Sequence, residues 1–187
     1  MEKVYVFLAD GFEEIEGLTV VDVLRRGKVE TVTVSVSGQR LVMGSHGIPV
    51  TADCIYEEAK PEDGTMYVLP GGMPGTLHLG EHQGLANLLT GAKAQGKKLA
   101  AICAAPSVLG QLGLLKGETA TCHPGFEEKL EGAAVTENTV EVSGQITTSR
   151  GMGTALPFAL KLLEQIKGPE AVEQVRKGLV YETPLKI

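Results

Sequence analysis

The stretch Val4-Tyr5-Val6-Phe7-Leu8-Ala9-Asp10-Gly11-Phe12-Glu13-Glu14-Ile15-Glu16 decides the fold. Its first six residues form an apolar run, which is typical of a strand buried on both faces in a parallel sheet. Residues 13–26 then predict a helix whose inward side carries Ile15, Leu18, Val21 and Leu24. A buried strand that leads directly into a helix is the repeating unit of α/β proteins.

The same unit recurs along the chain. Residues 66–69 and 98–102 predict two more buried strands, followed by helices at 85–94 and 107–112. Further strands are predicted at 29–37, 41–43, 48–50, 118–122, 140–142 and 146–149, and further helices at 154–166 and 169–177. Right-handed crossovers place such helices on both faces of the sheet. Without an evident linker or repeat, residues 1–187 are expected to form one α/β domain with a doubly wound, mostly parallel sheet.

Composition excludes several classes of protein. The chain has 187 residues, of which 43% are hydrophobic and 21% charged, as in ordinary globular domains. A net charge of -6 and only 4% aromatic residues disfavour binding to nucleic acid or to an anionic membrane. We read no targeting segment and no apolar run of roughly 18 residues, the length that a membrane helix needs. A cytoplasmic protein with no nucleic-acid or membrane partner is therefore expected.

Residues whose side chains or backbone amides could take part in catalysis follow the predicted strands. In open α/β sheets ligands bind at the carboxyl ends of the strands, so residues that directly follow a strand are the candidates for a functional site. The first strand is followed by the acidic turn that contains Glu16, the second by Gly71-Gly72, the third by Cys103 and a later one by His123. A carboxyl group, bare backbone amides, a thiol and an imidazole are thus expected to converge.

Cys103 lies at a predicted strand-to-helix elbow. A helix N-terminus favours a thiolate, so the position predicts a low thiol pKa and a reactive cysteine. The alternative is a small buried hydrophobic residue, the usual role of a free cysteine. Both remain open from position alone. The three cysteines, which also include Cys54 and Cys122, are too few and too irregularly spaced for a disulfide framework, so reduced thiols are expected.

The other candidates also have two interpretations each. Gly72 could present its amide to an oxyanion together with the Ala104 amide, or the Gly-Gly pair could simply form a tight turn. His123 could be a general acid or base, or a loop residue. Glu16 could belong to a solvated first helical turn, or it could enter the pocket, where burial would keep its carboxyl group protonated. Two neighbouring acids are read as a solvated first helical turn, namely Glu13 and Glu14.

The remaining histidines and cysteines show no metal-ligand spacing. We interpret them as surface or packing residues; they are His46, His78, His82, Cys54 and Cys122. Neither a phosphate loop nor a dinucleotide fingerprint is present, because residues 71–75 lack the required glycine spacing. We therefore expect no metal and no cofactor.

Four ordered motifs make the chain recognisable, and it resembles the ThiJ/PfpI superfamily. Within it, the chain is most similar to the subgroup that contains the parkinsonism-associated deglycase and small bacterial relatives, from about Lys3 to Gly178. The motifs are Ala9-Asp10-Gly11-Phe12-Glu13-Glu14-Ile15-Glu16, Leu69-Pro70-Gly71-Gly72, Ala100-Ala101-Ile102-Cys103-Ala104-Ala105-Pro106 and Thr148-Ser149-Arg150-Gly151.

The resemblance implies a flavodoxin-like fold, similar to that of class I glutamine amidotransferases, and a homodimer. It further implies that Cys103 is the reactive cysteine, Glu16 the protonated partner of its thiolate and His123 the nearby imidazole. The amides of Gly72 and Ala104 would form the oxyanion site.

At several positions the sequence differs from the motifs of related branches of the superfamily, and these differences limit which branches it resembles. The peptidase and chaperone-type glyoxalase branches carry a histidine directly after the nucleophile, where this chain has Ala104. The amidotransferases place a glutamate two residues after their histidine, and Gly125 stands there. The deglycase subgroup often has an arginine, an anion-contacting residue near the pocket, where this chain has Ser45-His46, so the subgroup's small-anion binding is not assumed for this chain.

Two functions follow from this reading. The first is a cysteine-dependent, cofactor-free enzyme of glyoxalase or deglycase type, which converts a small reactive carbonyl such as methylglyoxal to lactate. The second is a non-catalytic oxidative-stress sensor or chaperone whose cysteine is oxidised to sulfinic acid. Both functions need the Cys103 thiolate, because a thiolate reacts with aldehydes and with peroxide alike. The enzyme is the interpretation we favour.

Overall fold

The apolar run near the start of the chain forms β1 (Lys3–Leu8), a central strand of a seven-stranded sheet. The computed structural model describes residues 2–181. The strands are β1, β2 (Glu30–Ser35), β3 (Leu41–Met43), β4 (Pro49–Thr51), β5 (Cys54–Ile55), β6 (Met66–Leu69), β7 (Lys98–Ile102), β8 (Thr119–Ala120), β9 (Ala134–Val135), β10 (Val140–Ser143) and β11 (Ile146–Ser149). The α-helices are α1 (Glu14–Arg26), α2 (Gly75–Glu81), α3 (Gln83–Ala94), α4 (Pro106–Gln111), α5 (Ala155–Lys167) and α6 (Pro169–Gly178).

The sheet has the order β10-β11-β7-β6-β1-β2-β5, and all its pairings are parallel except that of β10 with β11. The chain runs outward from β1 through β2 to β5, then returns to β6 on the other side of β1. The strand order therefore reverses between β1 and β6. A crevice at such a reversal is where doubly wound sheets bind ligands. The flavodoxin-like fold predicted from the sequence is confirmed.

Helices cover both faces of the sheet, because alternate residues of each buried strand face opposite sides. On one face, Val4, Val6 and Leu8 pack against α1, α5 and α6. On the other face, Tyr5 and Phe7 pack against residues of α2, α3 and α4. Both faces of β1 are thus sealed, and only the strand ends are left for a site.

Several boundaries differ from those predicted. Helix α2 was not predicted, since residues 75–81 contain two glycines, directly follow a proline and include only two leucines. The predicted strand 118–122 is two residues long, because the Thr121 amide donates to the Thr148 side chain and not to a backbone carbonyl of a neighbouring strand. Strands β5 and β9 are also only two residues long, too short for a pattern to show.

Two residues predicted to face inward lie on the surface. In α1 the buried apolar residues include Val20, Val21 and Leu24, whereas Ile15 is 49% exposed and Leu18 is 37% exposed. The helix buries one side against the sheet and leaves a second apolar strip outside. An apolar strip of this kind is a candidate contact surface.

None of the helices in the described part of the chain is long and apolar enough to cross a membrane.

Candidate active site

The loops after β1 and β6 touch at the crevice. The Glu13 amide donates to the Gly71 carbonyl at 2.8 Å, and the Gly75 amide donates to the Gly11 carbonyl at 3.2 Å. The loop after β1 leads into α1, which carries Glu16, so this contact sets where Glu16 lies relative to the glycine pair.

Cys103 stands on a sharp elbow between β7 and α4. Its φ of +65° is in the left-handed region that residues other than glycine rarely adopt. The elbow is held on both sides, because the Cys103 amide donates to the Ser149 carbonyl at 3.0 Å and its carbonyl accepts from the His123 amide at 2.8 Å. Strain that is supported in this way is a common feature of functional sites.

Glu16 enters the site from the first turn of α1 and is 1% exposed. Its Oε2 accepts a hydrogen bond from the Gly71 amide at 2.9 Å, and its carboxyl group interacts with the Cys103 thiol. Its Oε1 is buried and has no partner of ordinary hydrogen-bond geometry among residues 2–181. An ionised carboxylate can only accept, so a buried oxygen without a donor fits the protonated acid.

Gly71 is required by close packing. A Cβ at this position would lie 2.6 Å from the Cys103 Cβ and 2.7 Å from the Glu16 Oε2. Any side chain would therefore separate the acid from the thiol or displace one of them. This role was not predicted from the sequence, in which Gly71 was interpreted only as part of a glycine pair.

Two backbone amides reach the sulfur. Hydrogen bonds from the Ala104 and Gly72 amides favour the thiolate form of Cys103. Gly72 has a φ of +92°, and a Cβ there would meet the Glu13 nitrogen at 2.3 Å. The structure thus brings together the two amides that were predicted to form an oxyanion site.

His123 lies on the loop after β8 and is exposed. Its Nδ1 is 2.9 Å from the Pro124 carbonyl, which can only accept, so Nδ1 carries a proton and Nε2 of the neutral ring has a free lone pair. The position of a Cβ on Gly151 would be 3.5 Å from the His123 ring and 3.9 Å from the Glu16 Oε1. A glycine thus separates the imidazole from the acid.

The ionisation of Glu16 and Cys103 is coupled. Burial raises the pKa of Glu16 to about 7, with a further increase from the charge of Glu13, against hydrogen bonds from Cys103 and Gly71 that lower it. Burial also raises the pKa of the Cys103 thiol to about 12, and the Glu16 charge and hydrogen bond add to this increase. Near neutral pH the pair therefore holds at least one proton.

The low thiol pKa predicted for Cys103 is contradicted. The prediction relied on a helix dipole, but α4 has only six residues and burial outweighs it. A thiolate forms here when the shared proton stays on Glu16, because this removes the adjacent negative charge and provides a donor to the sulfur. The fraction of Cys103 thiolate thus depends on whether Glu16 or Cys103 holds the shared proton.

Replacement of Glu16 tests this coupling. We expect the Cys103 thiol pKa to be higher in Glu16→Leu than in Glu16→Gln, because only the amide can still donate to sulfur. A hydrogen bond to a charged group contributes about 1.5–3 kcal/mol, so the difference should be about 1–2 pH units. The pH dependence of Cys103 alkylation by iodoacetamide measures it, with Glu170→Gln, an exposed acid of α6, as the remote control. Equal values in the two Glu16 variants would contradict the role of the acid.

Glu14 is not the solvated acid that the sequence predicted. It is 4% exposed, and its carboxylate accepts from the His46 amide at 2.8 Å and lies 3.0 Å from the His46 Nδ1. Ser45 also donates to it, at 3.2 Å. Burial opposes the charge, but these hydrogen bonds lower the pKa of Glu14 to about 2. The pairing spans about thirty residues of sequence, and no local pattern predicts it.

One group of residues has the spacing of a metal site. Among residues 2–181, potential ligand atoms of Glu13, Glu14 and His46 lie within 4.8 Å of one another. The imidazole here bridges the two carboxylates as an ion pair, at 3.0 Å from Glu14 and 3.5 Å from Glu13. The sequence had placed His46 among the surface residues.

The other histidines and cysteines lie outside the crevice residues described above. His82 accepts from the Leu85 amide and so begins α3, and His78 hydrogen-bonds to the Asp10 carbonyl. Cys122 is buried, and burial raises its thiol pKa to about 11. Cys54 is half-buried on β5, where burial also raises its thiol pKa.

A strained cysteine at the end of a parallel strand, beside a buried acid and two amides, places this chain among α/β proteins with a sharp strand-to-helix elbow at the sheet edge. The chain belongs to the DJ-1/PfpI family, whose family model matches residues 2–165.

Individual relatives agree with this assignment. The chain is 39% identical over 181 residues to Protein DJ-1 homolog B of Arabidopsis thaliana. The aligned region covers 96% of this chain and 41% of the relative. The chain thus spans less than half the length of that relative. It is 34% identical over 169 residues to the glutathione-independent glyoxalase DJR-1.2 of Caenorhabditis elegans, covering 89% of each. The structure titled "Toxoplasma gondii DJ-1, oxidized" superposes with a TM-score of 0.94 at 38% identity, covering 98% of this chain and 100% of that one.

Proposed function

We propose that the protein is a cofactor-free glyoxalase that converts methylglyoxal to lactate with Cys103 as nucleophile. The observation that carries this proposal is the placement of the Cys103 sulfur against the Ala104 and Gly72 amides and the Glu16 carboxyl group. A nucleophile, donors for an oxyanion and a buried acid are the groups that addition to an aldehyde needs. The reaction also needs a reduced thiol, which the cytoplasm maintains.

The first step is addition of the thiolate to the aldehyde. The sulfur electron pair forms a C–S bond while the carbonyl π pair moves to oxygen, which gives a hemithioacetal oxyanion. The amides of Gly72 and Ala104 donate to this oxyanion, and a proton from solvent or from Glu16 neutralises it. The retained ketone activates the neighbouring C–H bond for the next step.

The second step moves a proton between adjacent carbons. A base removes the proton from the former aldehyde carbon, and the ketone carbon is then protonated, which yields a lactoyl thioester on Cys103. Water cleaves this thioester to lactate and restores the thiol, so the sum is methylglyoxal plus water to lactate. Glu16 and the free Nε2 of His123 are the candidate proton carriers, and neither step uses an oxidant or a reductant.

The family relationship supports this reaction class, because one relative is named a glutathione-independent glyoxalase. The direct test is lactate formation from methylglyoxal by the purified protein, without glutathione and after treatment with a chelator. We expect lactate to appear at the same rate with and without chelator. Absence of lactate above a heat-denatured control would reject the glyoxalase proposal.

An oxidation sensor is the second candidate, and the oxidised Toxoplasma gondii DJ-1 structure favours it. The thiolate would attack peroxide to give sulfenic acid and hydroxide, and a second peroxide would oxidise it to sulfinic acid with loss of water. A protonated Glu16 could donate a hydrogen bond to the sulfinate oxygen. This outcome needs the same thiolate as the enzyme.

The order of cysteine oxidation provides a test of the site itself. We expect peroxide to oxidise Cys103 first and to stop at sulfinic acid, because Cys103 has two amides and an adjacent acid while Cys122 is 3% exposed. Peptide mass analysis over a peroxide time course measures the order. Addition of oxygen to Cys54 or Cys122 before Cys103 would show that the assignment of the reactive cysteine is wrong.

We also propose that the protein forms a homodimer through the exposed strip of α1. An open groove of about 520 Å³ lies between α1, the segment before β4 and the C-terminal helices, and its apolar residues include Ile15, Leu18 and Ile48. All three are more than a third exposed. A second copy of the same surface would cover them symmetrically, as in most homodimers.

Sedimentation tests the dimer. We expect twice the monomer mass for the wild type at micromolar concentration, and a monomer for Leu18→Glu, because a buried unpaired charge opposes association. Leu77→Glu is the matched control, since Leu77 is 49% exposed on α2 and does not line the groove. A monomeric wild type, or a dimer that survives in Leu18→Glu, would contradict this interface.

A further inference from the structure

The loop that follows β11 lies between the two candidate proton carriers. A Cβ on Gly151 would be 3.5 Å from the His123 ring and 3.9 Å from the Glu16 Oε1, which are ordinary contact distances. Gly151 is buried, and its φ of 164° is extended backbone that any residue can adopt. The position of the Gly151 backbone therefore sets the space between the acid and the imidazole.

Thr154 holds both polar groups of the Gly151 backbone. Its hydroxyl oxygen accepts hydrogen bonds from the Gly151 amide at 3.0 Å and from the Arg150 amide at 3.2 Å. Its own amide donates to the Gly151 carbonyl at 2.8 Å. One residue thus fixes the amide and the carbonyl of the glycine that lies between Glu16 and His123.

The Thr154 hydroxyl is not used to begin the helix that follows it. A threonine directly before a helix commonly caps it by accepting a hydrogen bond from an amide of the first turn. Within the described residues, the Thr154 side chain makes no such bond to α5, which begins at Ala155. The hydroxyl turns back to the loop, so its hydrogen bonds organise the loop and not the helix.

The available protons determine the direction of each hydrogen bond. A hydroxyl has one proton and two lone pairs, and the two amides occupy both lone pairs of Thr154. The Gly151 carbonyl, 2.9 Å from the Thr154 hydroxyl, already accepts the Thr154 amide. The Ser149 hydroxyl lies 2.7 Å from that of Thr154 and donates its own proton to the Thr139 carbonyl at 2.7 Å. The Thr154 proton therefore goes to Ser149, and the loop is tied to β11.

Ser149 also supports the nucleophile. Its carbonyl accepts a hydrogen bond from the Cys103 amide at 3.0 Å, at the strained elbow. Ser149 is the last residue of β11, and the pairing of β11 with β7 holds it independently of Thr154. Loss of the Thr154 hydroxyl should therefore disturb the loop at Gly151 and leave the elbow in place.

We propose that Thr154 is a positioning residue whose hydroxyl fixes Gly151 between Glu16 and His123 for the proton transfer of the proposed reaction. The proposal rests on the proposed function, because it concerns the second step of that mechanism. In this step one carbon loses a proton and its neighbour gains one, so the carriers need defined distances to the substrate. The first step, addition of the Cys103 thiolate, does not depend on this spacing.

The test compares Thr154→Val, which removes the hydroxyl but keeps the shape of the side chain, with Thr154→Ser, which keeps the hydroxyl. Thr90→Val is the matched control, since it removes an exposed hydroxyl bonded to the Ala86 carbonyl within α3. A misplacement of about 1 Å can cost about 100-fold in rate, so kcat for lactate should fall by about 10-fold to 100-fold in Thr154→Val. Thr154→Ser and Thr90→Val should keep most of the wild-type kcat.

A second readout separates positioning from loss of folded structure. Reactions are quenched with acid, and the methylglyoxal adduct is measured by mass on the tryptic peptide 99–116, which carries Cys103. In Thr154→Val the adduct should form at the wild-type rate and then accumulate, because addition continues while proton transfer is slow. An unchanged kcat, an equal loss of adduct and lactate, or a failure of Thr154→Ser to retain kcat would overturn the proposal.

Gly151→Ala tests the same spacing if Thr154→Val does not fold. The added Cβ would contact both the His123 ring and the Glu16 carboxyl group, so kcat should fall while the adduct still forms. Gly153→Ala is the matched control, because a Cβ there has no neighbour within 4 Å among residues 2–181. An unchanged kcat in Gly151→Ala would overturn the proposal.

The wild type distinguishes this proposal from the proposed function. A wild type that makes no lactate rejects the glyoxalase, and the role of Thr154 in proton transfer is rejected with it. A wild type that makes lactate while Thr154→Val turns over at the same rate rejects the role of Thr154 alone.

Discussion

Cys103→Ser should reduce lactate formation from methylglyoxal to the background rate. A serine hydroxyl keeps the size and position of the side chain, but its far higher pKa leaves essentially no nucleophile at neutral pH. In the proposed mechanism neither Glu16 nor His123 can replace the covalent step, because the thioester carries the product until water releases it. Lactate measured over time, beside a thermal unfolding curve for each protein, gives the comparison.

The matched controls are Cys54→Ser and Cys122→Ser. Cys54 lies on β5 at the edge of the sheet and Cys122 is buried after β8, so neither should change turnover by more than a small factor. A Cys103→Ser protein that makes lactate at the wild-type rate would eliminate the nucleophile assignment. The oxidation sensor would then be the remaining candidate.

His123→Ala is expected to have the second largest effect. The His123 ring lies across Gly151 from the Glu16 carboxyl group, and general acid-base help is typically worth roughly 100-fold to 10,000-fold in rate. Turnover should fall within that range while alkylation of Cys103 continues, because the thiolate depends on Glu16 and not on the imidazole. Single-turnover lactate formation and alkylation are measured on the same preparation.

The control for this variant is His78→Ala, which removes an imidazole bonded to the Asp10 carbonyl. Its turnover should match that of the wild type. If His123→Ala keeps full activity, Glu16 is the proton carrier and the fall should instead appear in Glu16→Gln. Equal loss of alkylation and turnover in His123→Ala would mean that the substitution damages the elbow.

Much of the fold could be predicted because buried parallel strands are apolar throughout. The runs at Lys3–Leu8, Met66–Leu69 and Lys98–Ile102 were identified to within a residue or two, and their parallel pairing is confirmed. The outward placement of Ile15 and Leu18 was not predicted, because helical periodicity shows an apolar side without showing what covers it. Helix α2 is short and glycine-rich, so its apolar periodicity was too weak to predict a helix.

The candidate site was predictable where the chemistry follows a strand directly. Cys103 and the Gly72 amide belong to that group, and the structure places both at the crevice. The role of Gly71 and the pairing of Glu14 with His46 were not predictable, since each depends on atoms from distant segments. The pKa of the Cys103 thiol could not be predicted from the local sequence either. The sequence suggested that the following helix lowers this pKa, whereas burial and Glu16 raise it.

The central claim is that methylglyoxal becomes covalently attached to Cys103 during turnover. Quenching the wild-type reaction with acid and measuring the tryptic peptide 99–116 tests this directly. We predict that this peptide gains the mass of one methylglyoxal, and that hydroxylamine removes the added mass as it does for a thioester. Lactate accumulating while peptide 99–116 stays unmodified, or carries the mass in a form that resists hydroxylamine, would contradict the account.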